Sequence, residues 1–465
     1  MPQVESQNPW YERQKPEKDD QREPCKRDRD RILYSSAFRR LSAVTQVVAP
    51  TESHFVHNRM THSLEVAQIA RGIAENLADS EPSEKIDEHG GLDVDAVEAA
   101  ALAHDLGHPP FGHVAEKELD RLVRVQLHVF DGYEGNAQSF RIVTKLELRR
   151  AGFRGLNLTR TTLNAILKYP WYRHRHGKGL DKWGAYRYTE NEAFEFAREV
   201  QDGVKLQKEA QKKYDPEPSH SHRSLEAAIM TWADDIAYAV HDMEDFYRMG
   251  QIPLERFAAE DQGEIQRFFD GIEERRTASG KTLEDAEWNW DAKKTAFEQF
   301  CKFLPVKERF SGTRDQRLHL QSVTATKIGE YLRATVLAND PARPLKMRSD
   351  HLEHEMEMLK ELTWHYVIKR QALATQQYGY RTVIRGLFDA YMDAINSHER
   401  DWSILPPRWR TELVELKKDF DEIPLELRIR TTADAVSSLT DGEAIRLYQR
   451  FSGVLPGSMR DLLAH

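Results

Sequence analysis

The sequence predicts a mainly α-helical protein, because long stretches place apolar residues every three to four positions while alternating strand patterns are scarce. Hydrophobic residues make up 40% of its 465 positions and charged residues 31%, the balance of a soluble globular chain. The first thirty residues are dense in alternating charge, from Glu17 and Lys18 through Asp28, Arg29, Asp30 and Arg31. That pattern predicts an arm that grades into a helix near Arg31, with most of its charges on a solvated face. Leu64, Ala67, Ile69, Ala70, Ile73, Ala74 and Leu77 then fall at helical spacing. A second helix is expected over Asp95–Leu106, Ala-rich and stopped by Gly107 with Pro109 and Pro110 beyond. A third runs from about Ser224 to Arg248, with Leu225, Ile229, Trp232, Ala233, Ile236 and Val240 on one stripe.

Further amphipathic helices are expected over Leu352–Tyr378, Val383–Ile395 and Asp441–Phe451. The least regular stretches are 171–190, 213–223, 276–282 and 339–347, and Ser311-Gly312-Thr313 marks a soft boundary within 300–315. The length suits two or three domains or one interleaved unit, ample for a hydrophobic core without disulfides. Mean hydropathy is −0.70, and Val97–His104, among the longest apolar runs, already carries Glu98, so no membrane span is expected. The first twenty residues lack the apolar core of a signal peptide. Lys plus Arg is 67 against 76 Asp plus Glu, a net charge of −9 that argues against a uniformly basic nucleic-acid binder while allowing a local basic pocket. Cys25 and Cys301 are the two cysteines, which suits a reducing cytoplasm and excludes a cysteine-built zinc site. With nineteen histidines, any metal here is held by imidazole and carboxylate.

Common nucleotide and hydrolase signatures fail. Ser279-Gly280-Lys281-Thr282 resembles the end of a phosphate loop, but Arg275 stands where the first glycine is needed, so it reads as a turn. No strand is followed by G-x-G-x-x-G, and neither G-x-S-x-G nor H-E-x-x-H occurs. What stands out is an ordered set: His62 in NRMTHSLEV, the dyad His104-Asp105 in ALAHDLGHPPFGH, and Asp234 in MTWADDIAYAVHD. Two imidazoles and two carboxylates suit a divalent ion: Mn²⁺, Mg²⁺, Fe²⁺, Co²⁺ or Ni²⁺. An isolated His-Asp pair is more often a surface pair. Four such residues in order, each in a polar break of an apolar helix, favour side chains converging from facing helices. Asp234, Tyr238 and Asp242 share one helix face at i, i+4 and i+8, whereas Asp235 points roughly 100° away, which selects Asp234. His113 and Glu116, at i and i+3 after Pro109-Pro110-Phe111-Gly112, form a candidate acid–base pair.

This order of H, HD and D resembles the HD-domain metal-dependent phosphohydrolases, and within them the deoxyguanosine triphosphate triphosphohydrolase family. The resemblance runs through RDRDRILYSSAFRRLSAVTQV (27–47), NRMTHSLEVAQIARGIA (58–74), AALAHDLGHPPFGHVAEKEL (100–119), YEGNAQSFRIVTKLE (133–147), LKYPW (167–171), ADDIAYAVHDMED (233–245) and DAVSSLTDGEAIRLYQRFSG (434–453). The HD pattern alone marks a superfamily; HDLGHPPFGH with YEGNAQ is more specific. The resemblance implies hydrolysis of a deoxynucleoside triphosphate, dGTP foremost, to deoxynucleoside and inorganic triphosphate, with Mn²⁺ and Mg²⁺ the leading metals. It makes His62, His104, Asp105 and Asp234 the metal ligands and places His113 and Glu116 at the scissile phosphate. About four negative charges on a triphosphate need cationic partners. By resemblance Arg59, Lys168 and Tyr169 supply these contacts, and Asn136 and Gln138 add polar ones. Tyr238 and Asp242 resemble the pair that reads the sugar 3′-hydroxyl and excludes a 2′-hydroxyl, and Gln46 and Val47 resemble a base-contacting segment.

The expected organisation is a charged arm over 1–30, an HD core over 31–305 and a C-terminal helical region over 306–465 that completes the pocket and the oligomer contacts. Residues 378–388 are expected to help close the base pocket. The resemblance also implies a cytoplasmic homo-oligomer, hexamer or tetramer, with a nucleotide or single-stranded DNA as effector. Arg173-His174-Arg175-His176 is the loop whose basic charge assembly would concentrate for such binding. Two other functions compete: another HD phosphohydrolase, such as a deoxynucleotide 5′-nucleotidase, or a nucleotide- or DNA-sensing scaffold with a vestigial site. The intact set of His62, His104, Asp105, His113, Glu116 and Asp234 counts against the scaffold.

Overall fold

Side-chain caps start the helices that frame the interior. Asn58 and Thr61 form a capping box, Asp93, Ser224 and Thr313 each accept a backbone N–H of the first turn, and Thr440 with Glu443 forms a second box. The computed structural model describes residues 8–17, 21–47, 56–150, 152–174, 181–203, 223–281, 288–340, 342–368 and 371–455. In order, the helices are α1 (Pro24–Leu33), α2 (Ser36–Arg40), α3 (Arg59–Ser80), α4 (Ser83–Glu88), α5 (Val94–Ala103), α6 (His113–Asp120), α7 (Gly135–Arg141), α8 (Arg160–Ile166), α9 (Arg187–Gly203) and α10 (Leu225–Arg248). They continue as α11 (Leu254–Ala258), α12 (Gln262–Ala278), α13 (Trp290–Phe303), α14 (Arg314–Ala334), α15 (Asp350–Thr363), α16 (Gln371–Asn396), α17 (Pro407–Asp419), α18 (Leu425–Ser437) and α19 (Asp441–Phe451). Two short antiparallel pairs are the strands among the described residues: β1 (Leu148–Arg150) with β2 (Phe153–Arg154), and β3 (Thr335–Leu337) with β4 (Leu345–Met347). The protein is all-α in class, as the spacing predicts.

Two large apolar cores, with a small third cluster of Ala137, Trp183 and Tyr186, organise these helices among the described residues. The larger runs from Cys25 to Val367 and centres on α3, α5 and α10, whose Ala-rich faces let the backbones approach closely. The second joins Phe111, Ala115, Leu119 and Tyr133 to Ile384, Leu387, Trp402, Ala433 and Leu447. Helix α6 therefore packs on the C-terminal helices, whereas α5 before it belongs to the first core.

Several expected elements are corrected. Among the described residues of the arm, 8–17 and 21–30, about half the charges turn inward instead of lying on a solvated face, and α1 starts at Pro24, before Arg31. Arg13 donates to Asp28 (2.5 Å), which is fully buried and accepts the backbone N–H and hydroxyl of Thr159, both at 2.7 Å. Glu17 accepts from Arg27, Arg31, Arg149 and Asn157. Charge alternation there serves internal pairing, which composition alone does not reveal; residues 18–20 lie outside the described ones. The helix expected over Asp95–Leu106 ends at Ala103, and residues 104–112 form a turn. Leu352–Tyr378 is not one helix: a π turn over Trp364–Ile368 follows α15, and Tyr378 belongs to α16. The aromatic side chains explain the break, because Tyr366 packs on Phe257 and Phe268 and donates to Glu264 (2.7 Å), fixing this turn against α11 and α12. The irregular stretches shrink as well: α9 starts at Arg187, α12 reaches Ala278, and 345–347 is a strand. Most of 213–223, and Arg175 and His176 of the basic loop, lie outside the described residues.

Candidate active site

Three helix segments deliver the metal-ligand candidates. His62 projects from the first turn of α3, His104 closes α5, and Asp234 lies mid-way along α10. His62 Nε2 is 3.2 Å from Asp234 Oδ1, His104 Nε2 is 3.8 Å from the same oxygen, and the two rings meet edge-on with centroids 5.5 Å apart. His104 donates Nδ1–H to the Ala101 carbonyl (2.7 Å), so Nε2 carries the lone pair. That Nε2 is buried without a hydrogen-bond partner among the described residues. A bare, buried imidazole nitrogen facing a second imidazole and a carboxylate fits a divalent cation. Burial raises the Asp234 carboxyl, but Lys168, His62 and His104 together hold it well below the usual carboxylate range.

Asp105 stands beside this trio. Its Oδ1 is 3.5 Å from His104 Nε2 and 2.9 Å from His108 Nδ1, while Oδ2 accepts from Arg59 Nη1 at 2.7 Å. Burial opposes its charge, yet Arg59, His104 and His108 keep it well below its ordinary value. His108 is pushed down to about 4 by burial and by Arg59, so its imidazole is neutral at physiological pH. Its ring meets that of His113 edge-on at 5.1 Å. His113 Nδ1 is 2.8 Å from Glu116 Oε2; Glu116 is buried, whereas the His113 side chain is 66% exposed and open to a ligand. Glu116 Oε1 accepts from Lys182 Nζ (2.8 Å), which also donates to Glu134 (3.0 Å). Against burial, His113 and Lys182 hold Glu116 well below the usual range. Contacts thus run unbroken from Asp105 through His108 to the His113–Glu116 pair.

The other predicted residues divide by what holds them. Arg59 is anchored through Nη1 to Asp105 and through Nε to the Thr45 carbonyl (2.8 Å), and Lys168 Nζ pairs with Asp234 Oδ2 at 2.8 Å. Tyr169 lies edge-on to Trp171 (5.5 Å) with the Arg223 guanidinium 5.5 Å from its ring. Tyr238 and Asp242 continue the Asp234 face of α10, while Asp235 turns away to pair with Lys360 (2.8 Å), as the helical angle predicts. Asp242 is buried with Oδ2 lacking a hydrogen-bond partner among the described residues; burial and the neighbouring Asp245 push its carboxyl well above the ordinary value. Gln46 Oε1 is likewise buried without a partner, and Val47 packs on the first core. Asn136 donates to Glu134 (2.7 Å). Gln138 is not brought to an open surface: it is 1% exposed, donates to Asp434 (2.8 Å) and accepts from Tyr186 (3.2 Å).

Sequence reasoning missed His108, Lys182 and Asp441. His108 had a signal, lying three residues after Asp105 within HDLGH. Asp441 had none: from the start of α19 it accepts the backbone N–H of Thr45 (3.0 Å) and of Phe111 (2.9 Å), fixing both the Gln46 segment and the turn before His113.

Comparison with known proteins identifies the family. A match to the HD domain covers residues 59–239, which contain His62, His104, Asp105 and Asp234, and a match to the phosphohydrolase-associated domain covers 347–450. The chain is 33% identical over 499 residues to a deoxyguanosinetriphosphate triphosphohydrolase-like protein of Shewanella sp. (strain MR-4), covering 98% of this chain and 99% of that one. This chain belongs to the dGTPase-like HD phosphohydrolases. A relative of the same description from Streptomyces coelicolor is 33% identical over 457 residues, and one from Shewanella loihica 30% over 488. This HD phosphohydrolase presents His, Asp and Glu groups able to hold a metal, as the metal dependence of HD domains requires. Among its described residues no helix is long and apolar enough to cross a membrane.

Proposed function

We propose that the protein hydrolyses deoxynucleoside triphosphates, dGTP foremost, to deoxynucleoside and inorganic triphosphate. The observation that carries this reading is the contiguity of the two halves of the site: the His62–His104–Asp234 trio connects through Asp105 and His108 to an exposed imidazole backed by a buried carboxylate. The relatives' shared name supports the same substrate. A divalent ion, Mn²⁺ or Mg²⁺ before Fe²⁺, Co²⁺ or Ni²⁺, held by His62, His104, Asp105 and Asp234, supplies Lewis-acid stabilisation of phosphoryl oxygens when bound.

The chain's own residues do the rest. Glu116 takes the Nδ1–H of His113 and orients the ring, leaving Nε2 to carry a proton to or from the reacting oxygen at the scissile phosphate. Lys182 keeps Glu116 ionised for that task. Arg59 and Lys168 offer positive charge to the triphosphate, with Tyr169 and Asn136 beside them. The orphaned Oδ2 of Asp242 suits the sugar 3′-hydroxyl, against which Tyr238 would exclude a 2′-substituent, and the orphaned Oε1 of Gln46, next to Val47, suits a base N–H. In this reading residues 31–305 form the catalytic core, and 306–465 complete the pocket through Asp441 and the 378–388 segment. The protein works in the cytoplasm as a hexamer or tetramer, with a nucleotide or single-stranded DNA as effector.

The test is incubation of the purified chain with Mn²⁺ or Mg²⁺ and each of the four dNTPs and GTP, with chromatographic separation of products and Asp105→Ala alongside. Deoxynucleoside plus triphosphate, lost in the variant, is the expected outcome. Orthophosphate or diphosphate as the product would overturn it in favour of another HD phosphohydrolase.

A further inference from the structure

A second group of metal-competent side chains lies on the same two helices. His57 immediately precedes the Asn58 cap of α3, Glu65 sits on α3 one turn beyond His62, and His241 and Asp245 occupy successive turns of α10. Glu65 Oε1 is 3.0 Å from His57 Nε2, and Glu65 Oε2 is 3.0 Å from His241 Nδ1. One ligand atom from each of these three residues falls within 4.8 Å of the others. On the far side of His57, Asp245 Oδ2 is 2.8 Å from Nδ1 and accepts the His57 backbone N–H at 2.8 Å. As it stands His57 donates to a carboxylate from each ring nitrogen, so a cation would take the place of the Nε2 proton, with Asp245 behind the ring as the usual support of a metal-bound histidine. The two rings stack with centroids 5.0 Å apart, which aims both toward Glu65.

A second observation points to a ligand. His241 is 6% exposed; its Nδ1 meets Glu65 Oε2 as an ion pair at 3.0 Å whose geometry is poor for a hydrogen bond, and neither atom has a hydrogen-bond partner among the described residues. Buried polar atoms left so are costly. A cation between them would satisfy both. We propose that His57, Glu65 and His241 form a second divalent-cation site, distinct from the His62–His104–Asp234 centre and supported by Asp245. Two nitrogens and one carboxylate suit a borderline ion such as Zn²⁺ or Co²⁺, with water completing the coordination. His241 lies seven residues beyond Asp234, a rise of about 10 Å along α10, so the pair is not a bridged two-metal centre. An ion here ties the segment entering α3 to α10 beside Asp242, holding Arg59 and Asp242 at a fixed spacing. The substrate need not contact it.

Elemental analysis of full-length protein, stripped with chelator, reloaded with Zn²⁺ and desalted, tests this. Wild type should hold about two ions per chain, and Asp234→Ala, Glu65→Gln and His57→Asn about one each. Zn²⁺ content in Glu65→Gln and His57→Asn equal to wild type would overturn the second site. Asp234→Ala leaves that site whole, so should the other two variants fail to fold by circular dichroism, an Asp234→Ala chain holding no ion overturns the proposal, and one holding an ion that a further His241→Gln releases sustains it. Loss in Glu65→Gln with none in Asp234→Ala would instead sink the candidate catalytic centre while leaving this site standing.

Discussion

Glu17 shows how much a single charge contributes once the fold has surrounded it. Burial raises its carboxyl, but the Asn157 amide and the Arg31 and Arg149 guanidiniums outweigh burial and bring it from 4.5 down to about 2. A carboxyl depressed in the folded state stabilises fully above its unfolded value and loses that contribution as pH falls through the folded one. Glu17→Gln should therefore cost about 1–3 kcal/mol of unfolding free energy at neutral pH. The gap between wild type and variant should close as pH falls from 4.5 toward 2, measured by denaturant unfolding across that range. A gap that persisted unchanged to the acid end would refute the ionic account. The charge-dense arm was legible at this scale, but its burial was not. The partners Asn157 and Arg149 are more than a hundred residues away in the chain.

At the scale of elements, the turn over 104–112 carries His104, Asp105 and His108 and leads into His113. Gly107 reads in the sequence as a helix stop, yet α5 has already ended at Ala103. Its structural role is close approach: a Cβ there would lie 2.1 Å from the Gly135 carbonyl oxygen and 2.3 Å from the Ser139 backbone nitrogen. The same turn donates its Gly107 N–H to Ser139 (2.8 Å) and accepts from Tyr133 (2.8 Å). The neighbours are backbone, so they cannot yield by rotating a side chain. Gly107→Ala should destabilise by about 3 kcal/mol or more, read as a lowered unfolding midpoint. A midpoint within a degree of wild type would show that α7 can move away from the turn. Helices α3, α5, α10 and α19 were visible because each is a long apolar period with a cap or stop. The break at Trp364–Ile368 was hidden because its aromatic residues continue the helical pattern while packing on other helices.

Across the whole molecule, the C-terminal helices are joined to the N-terminal ones by charge as well as by apolar packing. Arg141, 7% exposed, donates to Glu190 (2.6 Å) and through two nitrogens to Asp434 (2.7 and 3.0 Å). Both carboxylates are almost fully buried. Removing the cation leaves Asp434 without an ionic partner among the described residues and Glu190 with only the more distant Lys145 (3.9 Å), so Arg141→Met should cost about 3–5 kcal/mol, measured by urea unfolding. A loss below about 1 kcal/mol would mean the carboxylates find other partners or protonate at little cost.

The sequence by itself determined the helical class, most of the long helices, the family and the order His62, His104, Asp105, Asp234, because periodicity and short motifs are local properties of a chain. It also distinguished Asp234 from Asp235, since a rotation per residue follows from helix geometry alone. Only the tertiary structure decided that His108 links Asp105 to His113, that Lys182 and Asp441 brace the site, that Gln138 is spent inside the fold, and that His57, Glu65 and His241 meet. Each of these depends on which helix faces which. Those approaches are set by packing between residues far apart in the chain, which no local spacing encodes.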